Sequence, residues 1–270
     1  MLLSLYGRDA RVSVDHRELY IPCLKLRLDI SHLPLFEKVN HIELDKEYAH
    51  VMVTVNELPI CEVEQWVGID LNSTGHVAVV ANPSTGKVQK YGKEVPHIHK
   101  KYSKMRNNLN NEGYPKVAKE KIRNKENRIS KDLNHKISRE IVNNAAQQGC
   151  GIKMERLSDI RTTARTSKST RASLHSWSFY QIQMMIEHKA KLRGVPVAYV
   201  DPAYTSQQCS RCGRIGNRNG KDFSCPHCGH VDHADVNASF NIALRPPLGE
   251  GNGRLHADRD ACKGRIDTPQ

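Results

Sequence analysis

Four cysteines fall in two pairs of equal spacing, Cys209-Ser-Arg-Cys212 and Cys225-Pro-His-Cys228, separated by the segment Gly213–Ser224. A CxxC turn presents two thiolates from one bend, and a glycine follows each pair (Gly213 and Gly229). Four sulfurs at about 2.3 Å fill a tetrahedral shell and leave no open position, which points to one structural Zn²⁺ rather than a catalytic ion. Disulfides are the competing reading. Met1–Ala10 lacks the basic-then-apolar pattern of a secretion leader, so free thiolates are expected. With four cysteines available, His227 and His230 read as exposed loop residues, and Cys23, Cys61 and Cys150 as ordinary core residues.

Three acidic residues form the second group. Asp70 lies within Gly68–Asn72 (GIDLN), Glu155 within Lys153–Leu157 (KMERL), and Asp235 within Asp232–Ala238 (DHADVNA). The first two interrupt apolar runs, where an unpaired charge is costly. Brought together, like charges raise one another's pKa unless a cation intervenes. Two Mg²⁺ ions roughly 3.5–4 Å apart would resolve the conflict and create a centre that activates water and stabilises the leaving oxygen of a phosphodiester. Each residue also has a plainer reading. Asp70 could end a strand in a turn, Glu155 could pair with Lys153 or Arg156, and Asp235 or Asp232 could cap the following helix.

The elements that must position these residues follow from periodicity. Gln65–Leu71, His76–Ala81 and Lys87–Tyr91 read as three consecutive strands, the last two joined through the turn residues of Asn82–Gly86. A long polar helical stretch, His97–Gln148, is interrupted at Asn110–Pro115. Its second arm has Ile122, Ile129, Leu133, Ile137, Ile141 and Val142 at helical spacing. Gly151–Leu157 is a fourth strand, Leu174–Arg193 an amphipathic helix closed by Gly194, Val195–Val200 a fifth strand, and Asp235–Leu244 a last helix. The order βββ-α-β-α-β-α is that of an RNase H-like α/β fold, a mixed sheet with helices on both faces.

The chain carries a formal charge of +12, concentrated in two segments: His97–Gln148 at +8 and Arg156–His175 at +4, whereas Met1–Trp66 is −4. A solvated helix face accounts for one such run. Two runs beside one candidate site favour a nucleic-acid channel, with Lys121, Arg123, Lys125, Arg128, Arg161, Arg165, Lys168, Arg171 and Arg211 as its candidate contacts. The apolar runs Val51–Val55 and Val77–Ala81 fall far short of the roughly 18–20 residues that span a bilayer. A membrane protein is not expected. The expected location is the cytoplasm of a prokaryote, in association with the nucleoid.

At these motifs the chain resembles TnpB, the OrfB-type protein of insertion sequences, related to type V CRISPR effectors. The resemblance rests on GIDLN, KDLNHKISREIV (Lys131–Val142), MERL, LHSWSFYQI (Leu174–Ile182), TSQQCSRCG (Thr205–Gly213), CPHCG and DHADVNASFNIAL (Asp232–Leu244). It implies a RuvC-like nuclease with an inserted zinc ribbon. The implied catalytic, Mg²⁺-binding positions are Asp70, Glu155 and Asp235, the last preferred over Asp232 because it directly precedes Val-Asn-Ala. The implied Zn²⁺ ligands are Cys209, Cys212, Cys225 and Cys228, and Arg211, Arg214, Arg218 and Lys221 flank the ribbon.

The implied function is transposon-associated, RNA-guided DNA endonuclease activity, with a guide RNA from the transposon end and target DNA as partners. Family members place a wedge-like β domain and a helical recognition domain ahead of the nuclease. Residues 1–64, net acidic and with strand-like runs at Tyr20–Leu28 and His50–Val55, are expected to be a wedge-like remnant. The expected layout continues with a first nuclease part at 65–204, a zinc ribbon at 205–230, the last nuclease helix at 231–245 and a disordered tail at 246–270. The alternative function is a truncated, non-catalytic nucleic-acid-binding accessory protein of the same family.

Overall fold

The computed structural model describes residues 3–31, 33, 35–45, 48–55, 58–71, 75–156 and 175–248, with the side chains of 175–179 left aside. The described residues divide into two compact units, one ending at Leu58 and the other beginning at Pro59. The tail reading at 246–270 and the basic residues Arg161, Arg165, Lys168 and Arg171 lie mostly or wholly outside the described residues.

The first unit is all β among its described residues. Strands β1 (Leu3–Tyr6), β5 (Lys38–Leu44) and β6 (Ala49–Thr54) form one antiparallel sheet in the order β1-β5-β6. Strands β2 (Arg11–Val12), β3 (Glu18–Ile21) and β4 (Leu26–Asp29) form another. Leu19, Ile21, Ile30, Phe36 and Ile42 make the core. The run Tyr20–Leu28 is therefore two strands and not one. Pro22 removes a ladder donor, and the turn Pro22–Leu24 ends at Lys25 in the left-handed region (φ 51°), which folds the run into a hairpin. Cys23 sits in that turn and is exposed, contrary to its core reading.

The second unit is built on a five-stranded mixed sheet in the order β11-β10-β7-β8-β9. Its strands are β7 (Gln65–Leu71), β8 (Ala78–Ala81), β9 (Val88–Tyr91), β10 (Cys150–Glu155) and β11 (Val197–Val200). β8 runs antiparallel to both neighbours, while β7, β10 and β11 run parallel. Parallel partners require crossovers, and these are helical. α1 (Val95–Asn111) and α2 (Lys116–Gln147) precede β10, and α3 (His175–Leu192) precedes β11. The sequence places a helix break at Asn110–Pro115, and the α1–α2 turn falls there.

Alternation assigns the faces. Val67 and Ile69 of β7, with Ile152 and Met154 of β10, pack with Ile137, Ile141 and Val142 of α2 and Ile182 and Ile186 of α3. The α1–α2 pair is pinned by a buried carboxylate. Glu126 accepts from His99 Nδ1 at 2.7 Å and from Arg106, and burial, then Arg106, holds the His99 imidazole below its usual value.

The opposite face takes the last helix, α4 (Ala234–Leu244). Gly68 makes this possible. A β-carbon there would stand 2.1 Å from the Ser239 carbonyl oxygen and 2.4 Å from the Ala243 nitrogen, so only glycine admits the helix. Lys153, on the same face, donates to the Ala243 and Arg245 carbonyls at 2.9 and 2.6 Å and lies 5.3 Å from the Trp66 ring. It thereby caps the negative end of α4. Cys150 is buried, but Cys61 is exposed. It lies in the segment before β7, where its amide donates to the Gly194 carbonyl at 2.9 Å. No helix among the described residues is long and apolar enough to cross a membrane.

Candidate active site and metal centre

Asp70 follows Ile69 on the central strand. The parallel register sets Met154 opposite Ile69, so Glu155 stands beside Asp70 one step further along the adjacent strand. Equal phase in neighbouring strands directs both side chains to one face, the face that α4 covers. Asp235 enters from the first turn of that helix and is 2% exposed. Three acids distant in sequence are thereby grouped.

Their electrostatics register the grouping. Asp70 is pushed well above the usual carboxylate range, first by burial, then by the charges of Glu155 and Asp235, with Lys221 and Arg218 acting against them. Glu155 is also raised by burial, while a hydrogen bond donated by the Thr205 hydroxyl to its Oε1 pulls the other way. Gln183 donates to the Glu155 backbone carbonyl at 3.1 Å. Neither Lys153 nor Arg156 provides the counter-charge that the sequence leaves open for Glu155. Lys153 is engaged at the end of α4, and no ion pair between Arg156 and Glu155 occurs among the described residues.

Asp235 is held unequally. Its Oδ2 accepts from Lys221 Nζ at 2.6 Å, whereas its buried Oδ1 has no hydrogen-bond partner among the described residues, with Arg218 Nη2 at 3.9 Å. The capping reading falls to another residue, because His233 is the N-cap and its Nδ1 accepts from the Asp235 amide at 3.3 Å. Asp232 instead accepts its neighbour's amide, from His233, at 2.7 Å. A buried, unpartnered carboxylate oxygen beside two further carboxylates is a donor set suited to a hard divalent cation.

The cysteine cluster has a different construction. Cys209 N–H donates to the Arg214 carbonyl and Gly213 N–H to the Cys209 carbonyl. Cys225 N–H donates to His230 and Gly229 N–H to Cys225, so the two turns repeat one backbone pattern. Gly213 (φ 74°) and Gly229 (φ 70°) occupy the left-handed position each turn requires. The sulfurs of Cys209 and Cys228 are 3.6 Å apart and those of Cys212 and Cys225 3.5 Å. A tetrahedron with bonds of about 2.3 Å has edges of about 3.8 Å, so the sulfurs fit one ion with slight expansion.

These are the one group among the described residues whose metal-ligating atoms all lie within 4.8 Å of one another. The carboxylates stand further apart. Burial raises Cys225, but amides of Cys228 and His227 and the neighbouring thiols outweigh it and bring it down to about 7. The His230 amide lowers Cys228, yet burial and thiols sharing protons with it push it up to about 12. Four thiols this close hold protons among themselves unless a cation replaces them.

The hairpin between the turns, β12 (Asn217–Asn219) and β13 (Asp222–Ser224), pairs with β14 (Val231–His233) over a small core of Phe223, Cys209, Cys225 and Ala234. His227 is exposed, but His230 is buried at 8%, with its ring 6.3 Å from that of Phe223. The small ribbon core needs a ring there, which corrects the loop reading. Of the expected nucleic-acid contacts, Lys121, Arg123, Lys125 and Arg128 are exposed on α2 and Arg211 is exposed in the first cysteine turn. The sequence reading gave no role to Thr205, Gln183 or His233. The Ser/Thr-rich stretch before Cys209 and the histidine before the Ala-Asp pair were the available signals.

Residues 179–242 match the family described as Cas12f1-like, TNB domain. The chain is 42% identical over 129 residues to a CRISPR-associated endodeoxyribonuclease Cas12f1 of Sulfoacidibacillus thermotolerans, covering 46% of this chain and 29% of that protein. It is 35% identical over 156 residues to a TnpB-like protein of Methanocaldococcus jannaschii, covering 55% and 56%. A CRISPR-Cas12f ternary complex, solved by cryo-electron microscopy, shares the fold with TM-score 0.57 and 22% identity over 78% of this chain and 46% of that one. The chain is thus similar to Cas12f1 and TnpB-like proteins, the resemblance its motifs carry. It spans 29% and 56% of the two sequence relatives' lengths.

Proposed function

We propose that this chain is a transposon-associated, RNA-guided DNA endonuclease of the TnpB type. The observation that carries the proposal is the convergence of Asp70, Glu155 and Asp235 from β7, β10 and α4, with a buried oxygen of Asp235 that has no hydrogen-bond partner among the described residues. The strand order β9-β8-β7-β10-β11, with β8 alone running against the other four, supports an RNase H-like, RuvC-type reading of the mixed sheet.

Asp70, Glu155 and Asp235 would hold the Mg²⁺ ions, and the four cysteines one structural Zn²⁺. Bound there, Mg²⁺ supplies a water acidified toward hydroxide and positive charge for the leaving oxygen of a phosphodiester. The residues' own tasks follow from their surroundings. Asp70 is raised by burial and by the charges of Glu155 and Asp235, so a bound cation would favour its ionised form. Thr205 and Gln183 fix Glu155 at its carboxylate and at its backbone. Lys221 and Arg218 bring positive charge from the ribbon to the edge of the cluster, where a DNA phosphate would lie. Guide RNA and target DNA are the proposed partners, with the exposed cations of α2 and Arg211 as phosphate contacts.

The test is recovery and sequencing of RNA co-purifying with the full chain, followed by incubation of the complex with matched DNA and Mg²⁺. Cleavage by the wild type and none by Asp70→Ala is expected. Equal cleavage by both proteins would refute the assignment, and a protein that holds no RNA and cuts nothing would favour an accessory nucleic-acid-binding role.

A further inference from the structure

The segment between β11 and the first cysteine turn runs directly beside Glu155, and it is anchored far more heavily than a connecting loop requires. Tyr204 adopts a left-handed backbone (φ 61°), sparsely populated for a residue with a bulky side chain, and its carbonyl accepts the amides of Gln207 and Gln208 at 3.1 and 2.9 Å. The turn so formed buries the next residue, Thr205, at 4% exposure. Strain of this kind persists where surrounding contacts over-determine the conformation.

Those contacts come from α4. Asn241, 5% exposed, donates its side-chain amide to the Thr205 carbonyl at 2.8 Å and the Gln208 carbonyl at 2.6 Å. One turn earlier Asn237, fully buried, donates to the same Gln208 carbonyl at 2.7 Å and accepts the Ser210 amide at 2.9 Å. Arg245 Nη2 donates to Gln208 Oε1 at 3.0 Å. The helix that delivers Asp235 therefore also fixes the segment 205–210. The buried Thr205 hydroxyl meets Glu155 Oε1, with the Pro202 carbonyl at 3.1 Å as the competing acceptor.

We propose that Thr205 is a positioning residue for the carboxylate centre: its hydroxyl holds Glu155 in the rotamer that faces Asp70 and Asp235, and the Asn237–Asn241 clamp holds Thr205. The inference rests on the reading of the three acids as a divalent-cation site. An unconstrained glutamate has three freely rotating side-chain bonds, and a cation site built on one loses affinity to the cost of ordering it. Groups that orient a metal's own ligands typically alter affinity by about 10- to 100-fold when removed. Thr205→Val keeps the shape and loses the donor, and Thr205→Ser keeps the donor and loses the methyl group.

The probe is Mn²⁺, titrated into the full chain and followed by electron paramagnetic resonance, with Zn content measured in each protein. Expected is a wild type that binds Mn²⁺, an Asp70→Ala variant that does not, and a Thr205→Val variant weakened about 10- to 100-fold with its zinc retained. Thr205→Ser should return to within about threefold of wild type, because the donor is what matters. Guide-directed cleavage should show the Thr205→Val loss in kcat more than in KM, since the hydroxyl is spent on Glu155.

Unchanged Mn²⁺ affinity in Thr205→Val overturns the proposal and leaves the metal-site reading intact. Loss of zinc in that variant also overturns it, because Thr205 would then support the ribbon and not Glu155. A serine variant as weak as the valine one does the same. Equal failure of wild type and Asp70→Ala to bind Mn²⁺ overturns the underlying reading and the proposal with it.

Discussion

The cysteine cluster and the carboxylate cluster lie at the same end of α4, yet the first is complete in its backbone and the second only in its fold. Each cysteine turn closes by two hydrogen bonds within six residues, and the four sulfurs already sit within 4.8 Å of one another. The carboxylates come from strands 85 residues apart in sequence and a helix 80 residues further on. They are looser, and they borrow compensation from Lys221, Thr205 and a raised proton affinity. A structural ion needs a closed shell, which short local turns can supply. A reaction centre instead needs groups that share charge poorly until a cation and a substrate arrive.

The sharpest way to break this contrast is to remove one ligand from each side. Cys209→Ser should lose the bound zinc and the cooperative melting of the ribbon, because a structural zinc contributes folding free energy directly, about 10–16 kcal/mol of apparent binding in isolated zinc-finger peptides. Retention of one zinc per chain by elemental analysis, with unchanged melting, would defeat the four-thiolate assignment. Asp70→Asn should do the reverse, retaining zinc and fold while guide-directed cleavage disappears in a gel assay.

A second distinction concerns pH. Asp70 holds its proton more tightly in the folded chain than in the unfolded one. Its contribution to stability is therefore fully present below the unfolded carboxyl value of about 3.9 and is lost as pH rises through the higher folded value. Without added Mg²⁺, thermal melting should fall as pH rises above about 4, and Asp70→Asn should flatten that slope. A slope identical in both proteins would mean that Asp70 is not the group responsible.

The smallest effect expected is at Lys221. Its partly exposed ammonium competes for Asp235, so Lys221→Met should tighten Mn²⁺ binding by about threefold to tenfold, in keeping with the ~1 kcal/mol of such a pair. Weaker binding in titrations would show that the lysine supports the cluster rather than opposing it.

What could be read beforehand divides along the same line. The paired cysteine spacing is local, so its turns were legible from a dozen residues. Asp70 and Glu155 stood out because an acid inside an apolar strand demands an explanation, and the strand periods that carry them were regular enough to set the sheet. Thr205, Asn241 and Lys153 were not legible. A threonine in a polar stretch, an asparagine in a helix and a lysine in a strand become meaningful only when partners 50, 36 and 90 residues away are placed beside them. The same blindness misplaced Cys23 and Cys61, whose apolar neighbours in sequence are not their neighbours in space. It also hid the turn within Tyr20–Leu28, where the apolar alternation continues across a reversal of direction.

The absent side chain of Gly68 acts as a spacer of zero thickness between β7 and α4. An atom inserted at position 68 would meet the helix at Ser239 and at Ala243, the residue whose carbonyl Lys153 holds, and would push away the element whose first turn carries Asp235. The reach between the acids is thus gauged by a residue that touches none of them. A residue under a helix can in this way set the geometry of a carboxylate cluster without entering it.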